Sequence, residues 1–317
     1  MSCPLPHRAL LATVLVLAAC SQSDLEEEPA TDASLAEVAA SPVLSVYVVN
    51  YPLQYFAERI GGELVNVVLP VPMSVDPAHW SPTAEEILPF QQADMILLNG
   101  ASYAEWVTRA TLPETRSVNT SLPFSDRLIG LEGGRTHSHG VQGEHSHAGL
   151  ASHTWLDPTL AVEQAGVIAE AFTSALPEHR DQFATALAAL TEDLQGIDAE
   201  LFLAVERLQD YRLVFSHPVY QYLIARYQLS ARSLTLEPEE VLSSAQWAEL
   251  GELLGTGGSS AVVWEAAPLG ETVTRLEDAG HKSVIFEPAG NLPATGDYLQ
   301  VMRRNTAAFR GLAELDP

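Results

Sequence analysis

Two hydrophobic rhythms alternate along the chain, give way to one, and then resume. Residues 43–49 (Val-Leu-Ser-Val-Tyr-Val-Val) are β-branched and apolar enough for a buried strand. A helix over 52–60 follows, closed by Gly61-Gly62, and then a second strand over 64–71. Ser81-Pro82 has the signature of a helix cap and first turn, opening a helix to about Gln92. Residues 95–98 (Met-Ile-Leu-Leu) make a third strand, ended by Asn99-Gly100. Strand and helix alternating at this length imply right-handed βαβ units and a mostly parallel sheet.

From Pro158 to about Tyr211 the pattern is helical only. Asp157-Pro158 opens one helix. After Leu176-Pro177, residues Phe183, Leu187, Leu190, Leu194, Ile197, Leu201, Val205 and Leu208 recur at steps of three or four and form one stripe. A helix over 177–209 would extend about 50 Å at about 1.5 Å per residue, enough to join two lobes. The alternative is a helical hairpin broken near Gly196. The stripe passes Gly196 without a phase jump, which favours one helix. Strands over 213–215, 231–236, 261–264 and 283–286 then alternate with helices over 219–227, 245–254, 269–279 and 297–315. The expected fold class is therefore α/β: two lobes, each a mostly parallel sheet flanked by helices, joined by one long rigid backbone helix. The expected division is an N-terminal lobe over 43–176, the linking helix over 177–209 and a C-terminal lobe over 210–317.

The first 42 residues follow another logic. His7 and Arg8 precede an unbroken small and apolar run over 9–19, too short for a permanent bilayer span, which ends in Leu17-Ala18-Ala19-Cys20. This resembles the bacterial lipobox, so 1–19 is expected to be a lipoprotein signal and Cys20 the lipidated first residue. Residues 20–42 are acidic, rich in Ser, Thr, Ala and Pro, and lack aromatic residues, as a disordered tether would. The only cysteines are Cys3 and Cys20, which excludes a disulfide framework, cysteine zinc knuckle or cysteine nucleophile downstream. Any metal site must use His, Asp and Glu. With 41 acidic against 16 basic residues the net charge is −25, which disfavours nucleic acid and basic membrane-surface contacts. The lipid is then the only membrane attachment.

Open parallel sheets bind ligands beyond the carboxyl ends of their strands. His79 lies past the second strand, His217 just after Phe215, Glu287 directly after Phe286, and His153 just ahead of the Asp157-Pro158 helix start. Three imidazoles and a carboxylate can make one tetrahedral site, a donor set that suits zinc. Taken singly, a loop histidine is more often structural, and His179 and His281 are read as such background. A second signal is the Gly- and Ser-rich stretch 132–152, with His137, His139, His145 and His147, which fits auxiliary low-affinity metal binding.

Several ordered motifs together carry a family resemblance over residues 43–315. They are Asp76-Pro77-Ala78-His79-Trp80-Ser81-Pro82-Thr83 with Ala93-Asp94 and Asn99-Gly100; the His-rich insertion; His153-Thr154-Trp155-Leu156-Asp157-Pro158; Phe215-Ser216-His217-Pro218-Val219-Tyr220-Gln221-Tyr222 with Arg226-Tyr227; and Val284-Ile285-Phe286-Glu287-Pro288. The chain resembles the periplasmic or surface lipoproteins that deliver zinc or manganese to ABC-type importers. The resemblance implies His79, His153 and His217 as metal ligands and Glu287 as the fourth, at a position commonly held by Asp. Manganese members usually place Glu where this chain has His217, so the resemblance is to the zinc type, with manganese as the alternative cargo.

Supporting roles stay open at this level. Asp157 either caps its helix or orients His153, and Glu265 either faces the cleft or is structural. Trp80, Trp155 and Tyr220 either wall the site from water or are core aromatics. The expected function is a monomeric, exported, lipid-anchored carrier that passes Zn²⁺ to an ABC-type permease with its ATPase. Because ligand imidazoles must be neutral, affinity should fall below about pH 6. The rivals are a surface metal buffer or adhesin and a zinc hydrolase. The hydrolase lacks a His-Glu-x-x-His or Gly-x-Ser-x-Gly motif, and no enzymatic activity is expected.

Overall fold

The apolar runs near the start of the chain become a four-stranded parallel sheet of β1 (Leu44–Val48), β2 (Val65–Val68), β3 (Met95–Leu98) and β4 (Ser117–Asn119), in the order β2-β1-β3-β4. Helices α1 (Tyr51–Gly61) and α2 (Ala84–Gln92) connect them. The computed structural model describes residues 43–131, 136–138, 144–146 and 149–314. The expected signal 1–19, Cys20 and the tether to residue 42 lie outside the described residues, as do His139 and His147. Between β4 and the next long helix a short antiparallel pair, β5 (Thr136–Ser138) and β6 (Glu144–Ser146), places His137 opposite His145 in register.

One helix start and one unexpected strand depart from the sequence expectation for local reasons. Helix α2 is capped by Thr83, not Ser81: the Thr83 hydroxyl accepts from the Glu86 amide while the Glu86 carboxylate accepts from the Thr83 amide. That reciprocal pair satisfies two amides that Ser81 cannot reach. Strand β4 has no long apolar run to announce it and forms through its pairing with β3.

Helix α3 (Pro158–Ala175) is capped by Asp157. Next, Pro177–His179 forms a 3-10 turn, and α4 runs unbroken from Arg180 to Glu206. The stripe thus builds one helix of 27 residues, about 40 Å long, rather than a hairpin. It is shorter than the expected 177–209 span because the turn at Pro177 and the end at Glu206 trim both ends. Gly196 sits within the helix without breaking it, and no packing demands it, since a Cβ there would meet nothing within 4 Å.

The second lobe repeats the winding of the first. Strands β7 (Arg212–Phe215), β8 (Ala231–Ser233), β9 (Ser260–Trp264) and β10 (Lys282–Ile285) form a parallel sheet ordered β8-β7-β9-β10. Its helices are α5 (Gln221–Tyr227), α6 (Ser244–Leu254), α7 (Gly270–Asp278) and α8 (Tyr298–Glu314). In each sheet the chain steps outward from its first strand, then crosses to the other side, so β1/β3 and β7/β9 are the topological switch points. Helix α4 packs against α1, α3 and α8. One apolar core runs from Val46 and Phe56 through Leu194 and Ile197 to Phe215 and Phe286. The lobes are joined by packed side chains, which resists wide hinging. Among the described residues no helix is long and apolar enough to cross a membrane.

Candidate metal centre

Both sheets aim the carboxyl ends of their strands at one cavity of about 580 Å³. His79, His153, His217 and Glu287 all line it, and so do Glu237 and Glu265. Each arrives by a different local device.

His79 is carried by a turn whose Asp76 carboxylate accepts the Ala78 amide at 2.9 Å, while the Asp76 carbonyl accepts the His79 amide at 3.1 Å. Its Nε2 lies 3.9 Å from Asp76 Oδ2. Packing orients the buried His153: its ring lies 4.8 Å from that of Trp155 and 5.6 Å, edge-on, from that of Tyr103. Below it lies a buried amide hub. Asn99 Nδ2 donates to the Ser152 carbonyl at 2.9 Å, and Asn99 Oδ1 accepts from Asn50 Nδ2 at 3.1 Å and Gln164 Nε2 at 3.2 Å. These buried polar groups answer one another, so the hub holds the Ser152 carbonyl on one side of His153 and the Thr154 hydroxyl on the other.

The second lobe uses charge. His217 is buried two residues past β7, with Nδ1 3.1 Å from Glu265 Oε1 and Nε2 3.5 Å from Glu237 Oε1. Burial works against protonation of the ring, but hydrogen bonding and attraction from Glu237 and Glu265 outweigh it and hold the pKa up at about 10. Glu265 is fixed by its amide, which donates to Ser216 Oγ at 3.3 Å. Glu237 is delivered by pairing that outlasts β8, since the Leu234 and Leu236 amides donate to the Phe215 and Ser216 carbonyls.

Glu287 is held at its backbone by Asn305, which accepts from its amide at 3.0 Å and donates to its carbonyl at 2.8 Å. Its Oε2 lies 3.7 Å from Arg304. Burial raises the carboxyl pKa, and Arg304 draws it part of the way back. The adjoining loop is stitched to the first lobe: Trp155 Nε1 donates to the Pro288 carbonyl at 2.8 Å, and Asn291 Nδ2 donates to the Pro72 and Val75 carbonyls, both at 2.8 Å.

Among the described residues, the one group of three or more potential ligands whose donor atoms all lie within 4.8 Å of one another is His217, Glu237 and Glu265. His79, His153 and Glu287 line the same cavity outside that tight group. Asp157 caps α3, its Oδ1 accepting the Thr159 amide at 2.8 Å and hydroxyl at 2.6 Å. Trp80 is a core aromatic against Phe90 and Trp106, and Tyr220 is buried with its hydroxyl donating to the Phe286 carbonyl at 2.6 Å. His179 and His281 stand outside the cavity lining; His281 is held by Ser260 at 2.7 Å. Sequence reasoning missed Glu237. Its signal is an acid just beyond a strand, the position that singled out Glu287.

The family model described as "ZnuA: Zinc-uptake complex component A periplasmic" matches residues 46–311. The zinc-binding lipoprotein AdcA of Streptococcus pneumoniae is 26% identical over 282 residues, which cover 84% of this chain and 55% of that protein. The chain thus spans just over half the length of the streptococcal relatives it matches. The high-affinity zinc uptake system protein ZnuA of Bacillus subtilis is 23% identical over 278 residues, covering 84% of this chain and 86% of that one. The crystal structure of the Zn(II)-bound ZnuA-like domain of the pneumococcal AdcA shares the fold, with a TM-score of 0.71 at 23% identity over 86% of this chain and 99% of that domain.

Proposed function

The chain belongs to the family described as zinc-uptake complex component A, periplasmic, and from that premise we propose that it captures Zn²⁺ in the cleft between its lobes and delivers it to an ABC-type permease and its ATPase. The ion is cargo and no reaction is catalysed. The observation that carries this reading is that His79 and His153 from one lobe, and His217 and Glu287 from the other, line a single cavity. Three imidazoles and one carboxylate give zinc four donors of the kinds it prefers. Glu265 acts behind His217, because a ligating imidazole commonly gives its second nitrogen to a carboxylate that fixes its orientation. The continuous core and long α4 make release a small shift of one lobe against the other.

Export and a lipid on Cys20 place the carrier at the outer face of a membrane, within reach of the permease. His137, His139, His145 and His147 serve as auxiliary weak donors. Manganese is the competing cargo, because Glu237 and Glu265 make the His217 side rich in oxygen, which suits that ion.

Elemental analysis of protein purified without an affinity tag, followed by titration against a chromophoric zinc chelator, tests the reading. One zinc per chain in the cleft is expected, with affinity lost in His79→Ala, His153→Ala and His217→Ala. A protein that takes up no zinc, or holds it equally well in all three variants, contradicts it. Restored growth on limiting zinc in a strain lacking its own carrier, when the permease is co-expressed, separates delivery from surface buffering.

A further inference from the structure

The second lobe holds a half-site of its own. His217 presents its two nitrogens to two carboxylates at unequal distances, 3.1 Å from Nδ1 to Glu265 and 3.5 Å from Nε2 to Glu237. The first distance falls within the usual N···O hydrogen-bond range, and the second is the longer reach of a weak one. Zinc bonded at about 2.0–2.1 Å to nitrogen and carboxylate oxygen in tetrahedral geometry holds its donors about 3.3–3.4 Å apart. Nε2 and Glu237 Oε1 are thus spaced much as two ligands of one zinc ion would be.

Their placement is built in. His217 is buried and locked from behind by Glu265, which Ser216 anchors in turn. Glu237 is set by the hydrogen bonds of Leu234 and Leu236 to Phe215 and Ser216, and next to it the Pro238 carbonyl accepts the Leu269 amide at 3.0 Å. Neither donor has to move far to share an ion, and both face the cavity.

We propose that Glu237 is a coordinating carboxylate: Zn²⁺ is taken first by His217 Nε2 and Glu237 on the second lobe, and His79 and His153 then complete its shell. This landing site rests on the cleft being the zinc site, and it adds a ligand that the four-residue set omits. Glu287, tethered to Arg304 and Asn305, then takes over from Glu237 as the fourth donor of the finished site.

The test uses the full-length protein with Co²⁺ as a spectroscopic probe and Zn²⁺ in competition. His79→Ala/His153→Ala is expected to bind one Co²⁺ per chain more weakly than the parent. Adding Glu237→Gln, which keeps the side-chain shape, should weaken that residual binding by more than about 100-fold, beyond the roughly 10–100-fold cost of losing a carboxylate that only supports a ligand. Residual binding unmoved by Glu237→Gln overturns the proposal, as does a folded double variant that binds nothing while the parent binds. A parent that binds neither ion defeats the underlying zinc reading and the landing site with it. Should the double variant not fold, stopped-flow zinc capture by the single Glu237→Gln variant decides: association slowed several-fold supports the landing site, and an unchanged rate overturns it.

Discussion

At the first sheet's switch point Asn50 stands two residues past β1 and Asn99 one residue past β3; at the second, His217 stands two residues past β7 and Glu265 one past β9. The two pairs meet at the same 3.1 Å. One winding has therefore been given two chemistries. The first lobe puts neutral amides at the crossover and uses them as scaffolding, so that His153 is held from below by Asn99 and from the side by Trp155 and Tyr103. The second lobe puts an imidazole between carboxylates there and exposes the pair to the cavity. The topology supplies the location, and the residue types decide whether it is filled by structure or by ligand chemistry.

The sharpest way to break the contrast is to give the second switch point the residue of the first. His217→Asn should keep the fold and weaken zinc binding by more than about 100-fold, beyond the roughly 10–100-fold cost of losing an outer-shell partner. Chelator competition measures this directly. The converse change attacks the scaffold. Asn99→Ala leaves the buried groups of Asn50, Gln164 and Ser152 without their common partner and should cost about 3 kcal/mol of stability, read by denaturant unfolding.

A third prediction separates the lobes by pH. With a chelator present, His217 keeps its proton to about pH 10 in the folded chain, against an ordinary value of 6.5. Its contribution to stability is complete below pH 6.5 and is lost as pH climbs from there through about 10, because the unfolded chain releases the proton first. Thermal unfolding of the parent should show this decline, and His217→Asn should flatten it; matching profiles would contradict the charge-based account of the second lobe. Zinc must expel the same proton, so affinity should rise across that window and protons should appear on binding. The smallest effect is expected at the seam. Trp155→Phe keeps a ring against His153 and removes the donor to Pro288, for a loss of about 1 kcal/mol.

Period and punctuation made much of this fold legible. Alternating strand and helix rhythms located both sheets, and the unbroken stripe through Gly196 identified α4 as one helix. The strand-exit rule reached His217 and Glu287 because each lies within two residues of an apolar run. It passed over Glu237 because that residue opens an acidic run, Glu237 to Glu240 around Pro238, in a chain already at net charge −25. There an acid carries little information. The Asn50–Asn99 contact was illegible for another reason: an amide signals its partner only once the crossover brings two strand ends together. Ser81 and Thr83 are both good caps by type, and only Glu86 three residues on distinguishes them.

The central claim is that both lobes grip one ion. A crystal of the zinc-loaded protein, with anomalous scattering collected on either side of the zinc absorption edge, measures it most directly. One strong peak is expected in the cavity, bonded to His79 and His153 from one lobe and to His217 from the other. A peak bonded to residues of a single lobe, or lying outside the cavity, would contradict it.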